Sequence, residues 1–162
     1  MTETTDVCIV GGGVAGLSAG TFTARHGLET IVVNDGESLL RRNGHLENVP
    51  GFPAGVNSRR FLDMLEDQAE NAGCAFHEGE VTLVTVDDEG FAVETAAGDQ
   101  FWADYVIAAT KNEVGYLREI EGVGFVDRGK TYVDTDERGR TGVDGLYAAG
   151  RLAEKPHQTA IC

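Results

Sequence analysis

The apolar positions at the start of the chain follow a strand–helix–strand pattern. Residues 6–10 form a short continuous apolar run that ends at glycines, which is typical of a strand buried on both faces. Residues 14–27 are rich in small side chains and end at a glycine, which predicts a helix. A second apolar run at residues 29–35 predicts another buried strand. The three elements together predict a right-handed βαβ unit.

The pattern changes after this unit. Residues 36–57 are polar and have no period, which predicts a long ordered loop, and long loops inside compact domains tend to be functional. Ser58 is predicted to cap a helix over residues 59–73, with Phe61, Leu65 and Ala69 on its apolar face.

The second half of the chain contains mostly short strands. The turn sequences "DDEG" and "AAGD" predict an antiparallel β-meander at about residues 75–103. The apolar run at residues 105–110 predicts a buried strand that returns to the parallel sheet, and "GLYAAG" at 145–150 predicts the last strand. We therefore predict a single α/β domain over residues 1–162, Rossmann-like, with a central parallel sheet and a small antiparallel meander.

The negative net charge of the chain argues against anionic binding partners. The chain of 162 residues has 27 Asp and Glu against 13 Lys and Arg, a net charge of −14, and only three of the basic residues are lysines. Such a surface repels phosphate backbones, so we expect neither nucleic acid nor an anionic membrane as a partner. A lysine-poor acidic surface is expected of a halophilic protein, because concentrated salt screens self-repulsion. The absence of a long apolar run or a secretory pattern favours a cytoplasmic location.

The three cysteines are far apart and form no C-x-x-C pair, which argues against a zinc site or a disulfide framework. Cys8 and Cys74 are predicted to be buried core residues, whereas Cys162 stays open between a chain end and a position near a ligand. We find no metal site, no carboxylate pair and no nucleophile–base pair, so the catalytic residues stay unassigned.

The loop after the first strand carries G-x-G-x-x-G at Gly11, Gly13 and Gly16. Gly11 permits the tight turn, Gly13 lets a pyrophosphate approach the backbone, and Gly16 lets the helix pack on the sheet. The second strand should then end at an acidic residue that binds ribose. Here Asn34 occupies that position and Asp35 follows one position late, and the sequence does not decide between them.

These residues resemble the FAD domain of thioredoxin-reductase-like flavoproteins, a branch of the pyridine nucleotide–disulfide oxidoreductases. "IVGGGVAGLSAG" resembles the family's FAD pyrophosphate loop, and "LENVPGFP" is similar to its loop near the isoalloxazine. "YVIAAT" and "TGVDGLYAAGR" resemble the strands that end in the family's A-T-G and Gly-Asp motifs, and "HQTA" matches a helix start beside the flavin. The resemblance implies FAD as cofactor, held by Gly11, Gly13, Val14, Ala15, Gly16, Asn34, Asp35, Asn48, Val81, Thr110, Gly150, Arg151, Gln158 and Thr159.

The sequence departs from the family in three respects. Lys111 replaces the glycine of A-T-G, and Arg151 replaces the aspartate of the closing motif. Only 40 residues separate Thr110 from Gly150, where the family inserts an NADPH domain that carries its C-x-x-C pair. The resemblance thus implies a fold and a flavin without an NADPH site or a redox disulfide in this chain. It also suggests a homodimer, because deleting a domain exposes surface that formerly packed.

Three functions stay open at this point. The first is a redox flavoprotein that acts on an unknown small-molecule substrate or redox partner, with an electron donor from outside the chain. The second is a binding module that holds FAD or an adenine nucleotide without turnover. The third is a protein whose glycine loop binds a nicotinamide nucleotide and no flavin. His45 is interpreted as an exposed loop residue rather than a proton donor to a flavin. His157 occupies the position of an arginine in the family, and the sequence does not decide whether it lies near the flavin.

Overall fold

The computed structural model describes residues 2–153, and Gln158, Thr159, His157 and Cys162 lie outside this range. The two α-helices are α1 (Val14–Arg25) and α2 (Ser58–Ala72), and short 3-10 helices lie at Leu39–Arg41, Gly115–Leu117 and Gly150–Ala153. The strands are β1 (Thr2–Val10), β2 (Thr30–Asn34), β3 (His45–Leu46), β4 (Val56–Asn57), β5 (Ala75–Glu78), β6 (Val81–Asp87), β7 (Gly90–Thr95), β8 (Gln100–Ala108), β9 (Phe125–Asp127), β10 (Thr131–Val133) and β11 (Leu146–Ala148).

A seven-stranded sheet organises the described residues, in the order β5-β2-β1-β8-β7-β6, with β11 also paired to β8. The pairs β5–β2, β2–β1, β1–β8 and β8–β11 are parallel, whereas β8–β7 and β7–β6 are antiparallel. Two strands pair with the edge of β8 that is opposite β1. β7 pairs with the first half of β8, and β11 pairs with its last three residues. This arrangement confirms the predicted α/β class, with a parallel core and an antiparallel meander.

The sequence pattern misplaced some strand boundaries. β1 begins at Thr2 rather than at residue 6, and β8 is one strand of nine residues rather than a meander strand followed by a separate one. The two strands pair from Thr2↔Gln100 to Val10↔Ala108. Backbone hydrogen bonds therefore join the two strands along their length. The side chains of Thr2, Glu3 and Thr4 are polar and exposed, so the pattern of apolar residues did not indicate this part of β1.

The predicted start of the meander at about residue 75 was wrong. Residues Ala75–Glu78 form β5, which adds a parallel strand to β2, and the antiparallel part begins at Val81. The predicted loop at residues 36–57 also contains a small antiparallel pair, β3 with β4.

The predicted cap of α2 was one residue late. The side chain of Asn57 accepts hydrogen bonds from the N–H groups of Arg59 and Arg60, each at 3.1 Å, so Asn57 is the cap. Ser58 is buried inside the helix start, and its hydroxyl donates to the carbonyl of Asn43. Asparagine and serine are both good caps, and the tertiary contact of Ser58 decides between them. Gly73 ends the helix at φ +112°, as predicted.

The core has apolar layers on both faces of the sheet. The residues of β1 and β2 that precede the loops are almost fully buried, including Ile9 and Val32, which explains their continuous apolar runs. Cys8 and Cys74 are buried as predicted. Among the described residues 2–153, neither α1 nor α2 has the length and hydropathy that a membrane-spanning helix requires.

Candidate functional site

The loops that follow three neighbouring parallel strands meet at one edge of the sheet. Val10 at the end of β1 aligns with Ala108 of β8, which in turn aligns with Ala148 of β11. Backbone hydrogen bonds continue this alignment, from the N–H of Ala109 to the carbonyl of Val10 and from the N–H of Ala149 to that of Ala108. Ligands of open α/β sheets bind beyond the carboxyl ends of the strands. A cavity of about 600 Å³ lies there, within the size range of ligand sites.

Two glycines of the G-x-G-x-x-G motif are required by packing. Gly11 has φ +109°, and a Cβ on it would lie 2.5 Å from the carbonyl oxygen of Ala109. A Cβ on Gly16 would collide with the carbonyl oxygen of Gly11, since the first turn of α1 packs directly on this loop. These positions hold glycine for the fold, as the sequence predicted for the turn and for the packing of the helix.

Gly13 has a different environment. Its φ of −86° is available to any residue, and a Cβ on it would meet only the hydroxyl of Ser38, at 4.0 Å. Gly13 is also the N-cap of α1, and no side chain caps the first N–H groups of this helix. Gly13 lines the cavity together with Val14 and Ala15, so the open space at Gly13 and the uncapped start of α1 belong to the cavity wall. This combination suits an anion that approaches the backbone closely.

Gly150 brings the far end of the described chain to the same place. It has φ +67°, and a Cβ on it would lie 2.7 Å from the Cβ of Ala15 in the first turn of α1. Gly150 and Arg151 line the same cavity as Gly11 and Gly13. Two glycine turns separated by more than 130 residues of sequence therefore form one wall.

The structure distinguishes the two candidates at the end of β2. The side chain of Asn34 lies over Gly12, so closely that a Cβ on Gly12 would collide with its amide. The carboxylate of Asp35 instead accepts the N–H of Glu37 at 2.9 Å, within its own turn. Both residues line the cavity, but only the Asn34 side chain packs against the glycine loop.

Thr110 follows β8 and is linked to a tyrosine that the sequence analysis missed. The Thr110 hydroxyl donates to the carbonyl of Glu113 at 2.9 Å, so the hydroxyl of Tyr116, at 2.6 Å, donates to Thr110. Burial raises the pKa of Tyr116 well above its usual value, which keeps the phenol protonated. Tyr116 lies in a segment of weak pattern, so no sequence signal pointed to it.

The charged residues on the cavity wall are mixed. Asp35, Glu37, Glu80 and Glu113 are acidic, and the two basic residues among the described lining residues are Lys111 and Arg151. Glu37 pairs with Arg42 at 2.6 Å, and this hydrogen bond lowers the pKa of the carboxyl group, with a smaller contribution from Lys111. Lys111 has φ +50°, the one positive φ among the described residues other than glycine.

Most of the predicted cofactor residues lie around this cavity. Gly16 lies beneath the loop rather than on the wall, and Gln158 and Thr159 are outside the described residues. The lining residues from the predicted set are Gly11, Gly13, Val14, Ala15, Asn34, Asp35, Asn48, Val81, Thr110, Gly150 and Arg151. Their contacts with a cofactor stay predictions.

The histidines and cysteines of the described range lie away from the cavity wall. His45 is exposed on β3, with its ring over Gly55, as expected of a loop histidine. His77 is half-buried on β5, with Nε2 3.0 Å from Asp99 Oδ2. Burial raises the pKa of the Cys8 thiol to about 12 and that of the Cys74 thiol above its usual value. Residues 2–153 contain no group of side chains arranged to hold a metal ion.

Sequence comparisons find proteins that are similar to this chain. The sequence model of a family described as "FAD binding domain" matches residues 6–50. The thioredoxin reductase of Rickettsia felis is 34% identical over 131 residues, a match that covers 76% of this chain and 42% of that protein. The thioredoxin reductase of Treponema pallidum is 34% identical over 137 residues, with shares of 80% and 43%. The chain thus spans less than half the length of these curated relatives.

The fold is also found in solved structures. A thioredoxin reductase from Gloeobacter violaceus superposes with a TM-score of 0.87 at 16% identity, over 98% of this chain and 90% of that chain. The thioredoxin reductase of T. acidophilum superposes with a TM-score of 0.79 at 18% identity, over 98% and 93%.

Proposed function

Because the chain belongs with the FAD-binding domains of the thioredoxin reductase family, we propose that it is a redox flavoprotein with FAD in this cavity. The observation that carries the proposal is the convergence of the Gly11–Gly13 loop and the Gly150 turn on one cavity. A bound FAD would supply the two-electron chemistry, while the protein positions it.

The residues present fit such a cofactor. The space at Gly13 and the uncapped N-terminus of α1 suit a pyrophosphate, and the protein's own packing gives no other reason for a glycine at this position. The amide of Asn34, which packs over Gly12, would hydrogen-bond a ribose hydroxyl beside the loop. Val81, at the start of β6, lines the same cavity from the side of the meander, and we propose that it borders the adenine.

We propose that the electron donor comes from outside this chain. β8 and β11 are direct parallel neighbours, and the residues between them form one 3-10 helix, the β9–β10 pair and turns. No second dinucleotide loop follows a strand in this connection, which supports a site for one nucleotide. The buried thiols of Cys8 and Cys74, with raised pKa values, are poor candidates for exchange with a disulfide.

A spectroscopic experiment tests this proposal. The purified protein is reconstituted with FAD, freed of excess cofactor, photoreduced without oxygen, and mixed with candidate acceptors. We expect one FAD per chain and reoxidation that is faster than that of free reduced FAD with at least one acceptor. A chain that retains no FAD, or that retains NAD instead, contradicts the proposal.

A second candidate is a module that binds FAD or an adenine nucleotide without turnover. The observation in its favour is that the described residues lining the cavity include neither cysteine nor histidine. Retained FAD that cannot be reduced and reoxidised within minutes supports the module and rejects the enzyme.

A further inference from the structure

Two cations occupy equivalent places beyond neighbouring strands. Lys111 lies three residues after Ala108, and Arg151 lies three residues after Ala148, its register partner. Adjacent strands are about 4.8 Å apart, so the two loops leave the sheet side by side. Gly13 lies three residues after Val10, the register partner of Ala108 on the other side. The three positions thus follow three consecutive strands, and all of them line the cavity.

The surroundings make these cations unusual. The chain has a net charge of −14 and three lysines, and four acidic residues line this cavity. Lys111 also adopts a left-handed conformation that favours glycine, which is the residue the related motif has at this position. A site that holds phosphate charge inside an acidic protein needs local positive charge, because the acidic wall would otherwise repel the ligand.

We infer that Lys111 and Arg151 form a cation pair that binds the pyrophosphate of the nucleotide at the N-terminus of α1. The identity of the nucleotide in this inference rests on the proposed function. The binding of an anion rests only on the residues that line the cavity. The contact of Gly150 with Ala15 holds the backbone that precedes Arg151 against the first turn of α1, whose N–H groups no side chain caps. Arg151 itself lines the cavity. Arginine binds phosphate oxygens through two parallel hydrogen bonds, and lysine adds a point charge.

The test compares ligands that differ in phosphate content. Binding of FAD, ADP and riboflavin is measured by titration calorimetry at one fixed KCl concentration, for the wild type and for the double variant Lys111→Gln with Arg151→Gln. The matched control is Lys130→Gln with Arg138→Gln, which removes the same charges from exposed residues outside this cavity. Circular dichroism confirms that each variant is folded.

We expect the double variant to weaken FAD and ADP binding by about 10- to 100-fold, since charge-assisted hydrogen bonds are lost. Riboflavin, which has no phosphate, should bind the wild type and the variant equally. The control should leave all three ligands within about twofold of the wild type. Lys111→Arg with Arg151→Lys keeps both charges and should recover most of the affinity.

Two results would overturn the inference. One is FAD and ADP affinity in the double variant within twofold of the wild type, and the other is tighter FAD binding by Arg151→Asp. The proposed function fails separately. If the wild type binds ADP through the two cations but does not bind FAD, the inference about the cation pair is correct and the proposed flavoprotein function is wrong. If the wild type binds neither ligand, both are wrong.

Discussion

Gly150 and Ala15 join the two ends of the cavity wall, because a Cβ on Gly150 would lie 2.7 Å from the Cβ of Ala15. The contact fixes the closing turn against the first turn of α1, and there is no room for a side chain between them. The two residues are far apart in sequence, so this contact joins the turn after β11 to the start of α1.

Gly150→Ala should therefore destabilise the protein by about 2–4 kcal/mol, from the positive φ and from the collision with Ala15. The measurement is the free energy of unfolding in urea. Gly129→Ala is the matched control, since Gly129 has φ +81° with no atom near its Cβ position, and it should lose only about 1–2 kcal/mol. Adding Ala15→Gly should recover the excess loss, and a double-mutant cycle without coupling would contradict the contact.

Gly13→Ala should separate binding from stability. Its backbone is not strained and its Cβ position is open, so the loss of unfolding free energy should stay within about 1 kcal/mol, as expected at an N-cap. FAD affinity should fall at least about tenfold, because the methyl group occupies the approach of the pyrophosphate. Titration calorimetry and urea unfolding measure the two effects.

Gly11→Ala provides the comparison. Its positive φ and its contact with the carbonyl of Ala109 predict a loss of both stability and binding. If Gly13→Ala binds FAD as well as the wild type, the open space at Gly13 does not serve a ligand.

Asn34→Ala should weaken FAD binding by about three- to tenfold, the value of one hydrogen bond. Asp35→Ala should stay within about twofold, since its carboxylate accepts an N–H group of its own turn. Fluorescence titration of FAD with each variant decides the question that the sequence left open. The opposite order of effects would identify Asp35 as the ribose ligand.

We propose that the protein works in concentrated salt. Its melting temperature should rise when KCl is raised from about 0.1 M to 2 M, because the range of repulsion between acidic side chains shrinks from about 10 Å to below 3 Å. Neutralising the exposed Asp88, Glu89 and Glu121 to Asn, Gln and Gln should make this rise smaller. A melting temperature that falls as KCl rises would contradict the proposal.

Local sequence patterns predicted the βαβ unit because its signals are local. A continuous apolar run, a glycine loop and a helix of small residues can each be recognised from neighbouring residues alone. These signals predicted β1, α1 and β2. The first half of β1 was missed because its partner, the first half of β8, is distant in sequence. Pairing between distant segments satisfies a polar strand as well as an apolar one, so the residue types there did not indicate it.

In the candidate site, too, local sequence signals were recognised and contacts between distant segments were not. The glycine motif indicated Gly11, Gly13 and Gly16 because their spacing is a local signal, whereas the contact of Gly11 with Ala109 is not local. The hydrogen bond between Tyr116 and Thr110, and the equivalent positions of Lys111 and Arg151 after β8 and β11, depend on the fold, which local sequence patterns do not indicate. The cap at Asn57 was missed for a related reason, because Ser58 is held by a contact with Asn43.

The most direct test follows the backbone amide signals of Gly13 and Gly150 by nuclear magnetic resonance while FAD is added to the isotope-labelled protein. If the two glycine turns form one FAD site, both signals shift with the same dissociation constant and both reach saturation at one FAD per chain. If only one of the two signals responds, or if the two give different dissociation constants, the turns do not share a single site and the account is wrong.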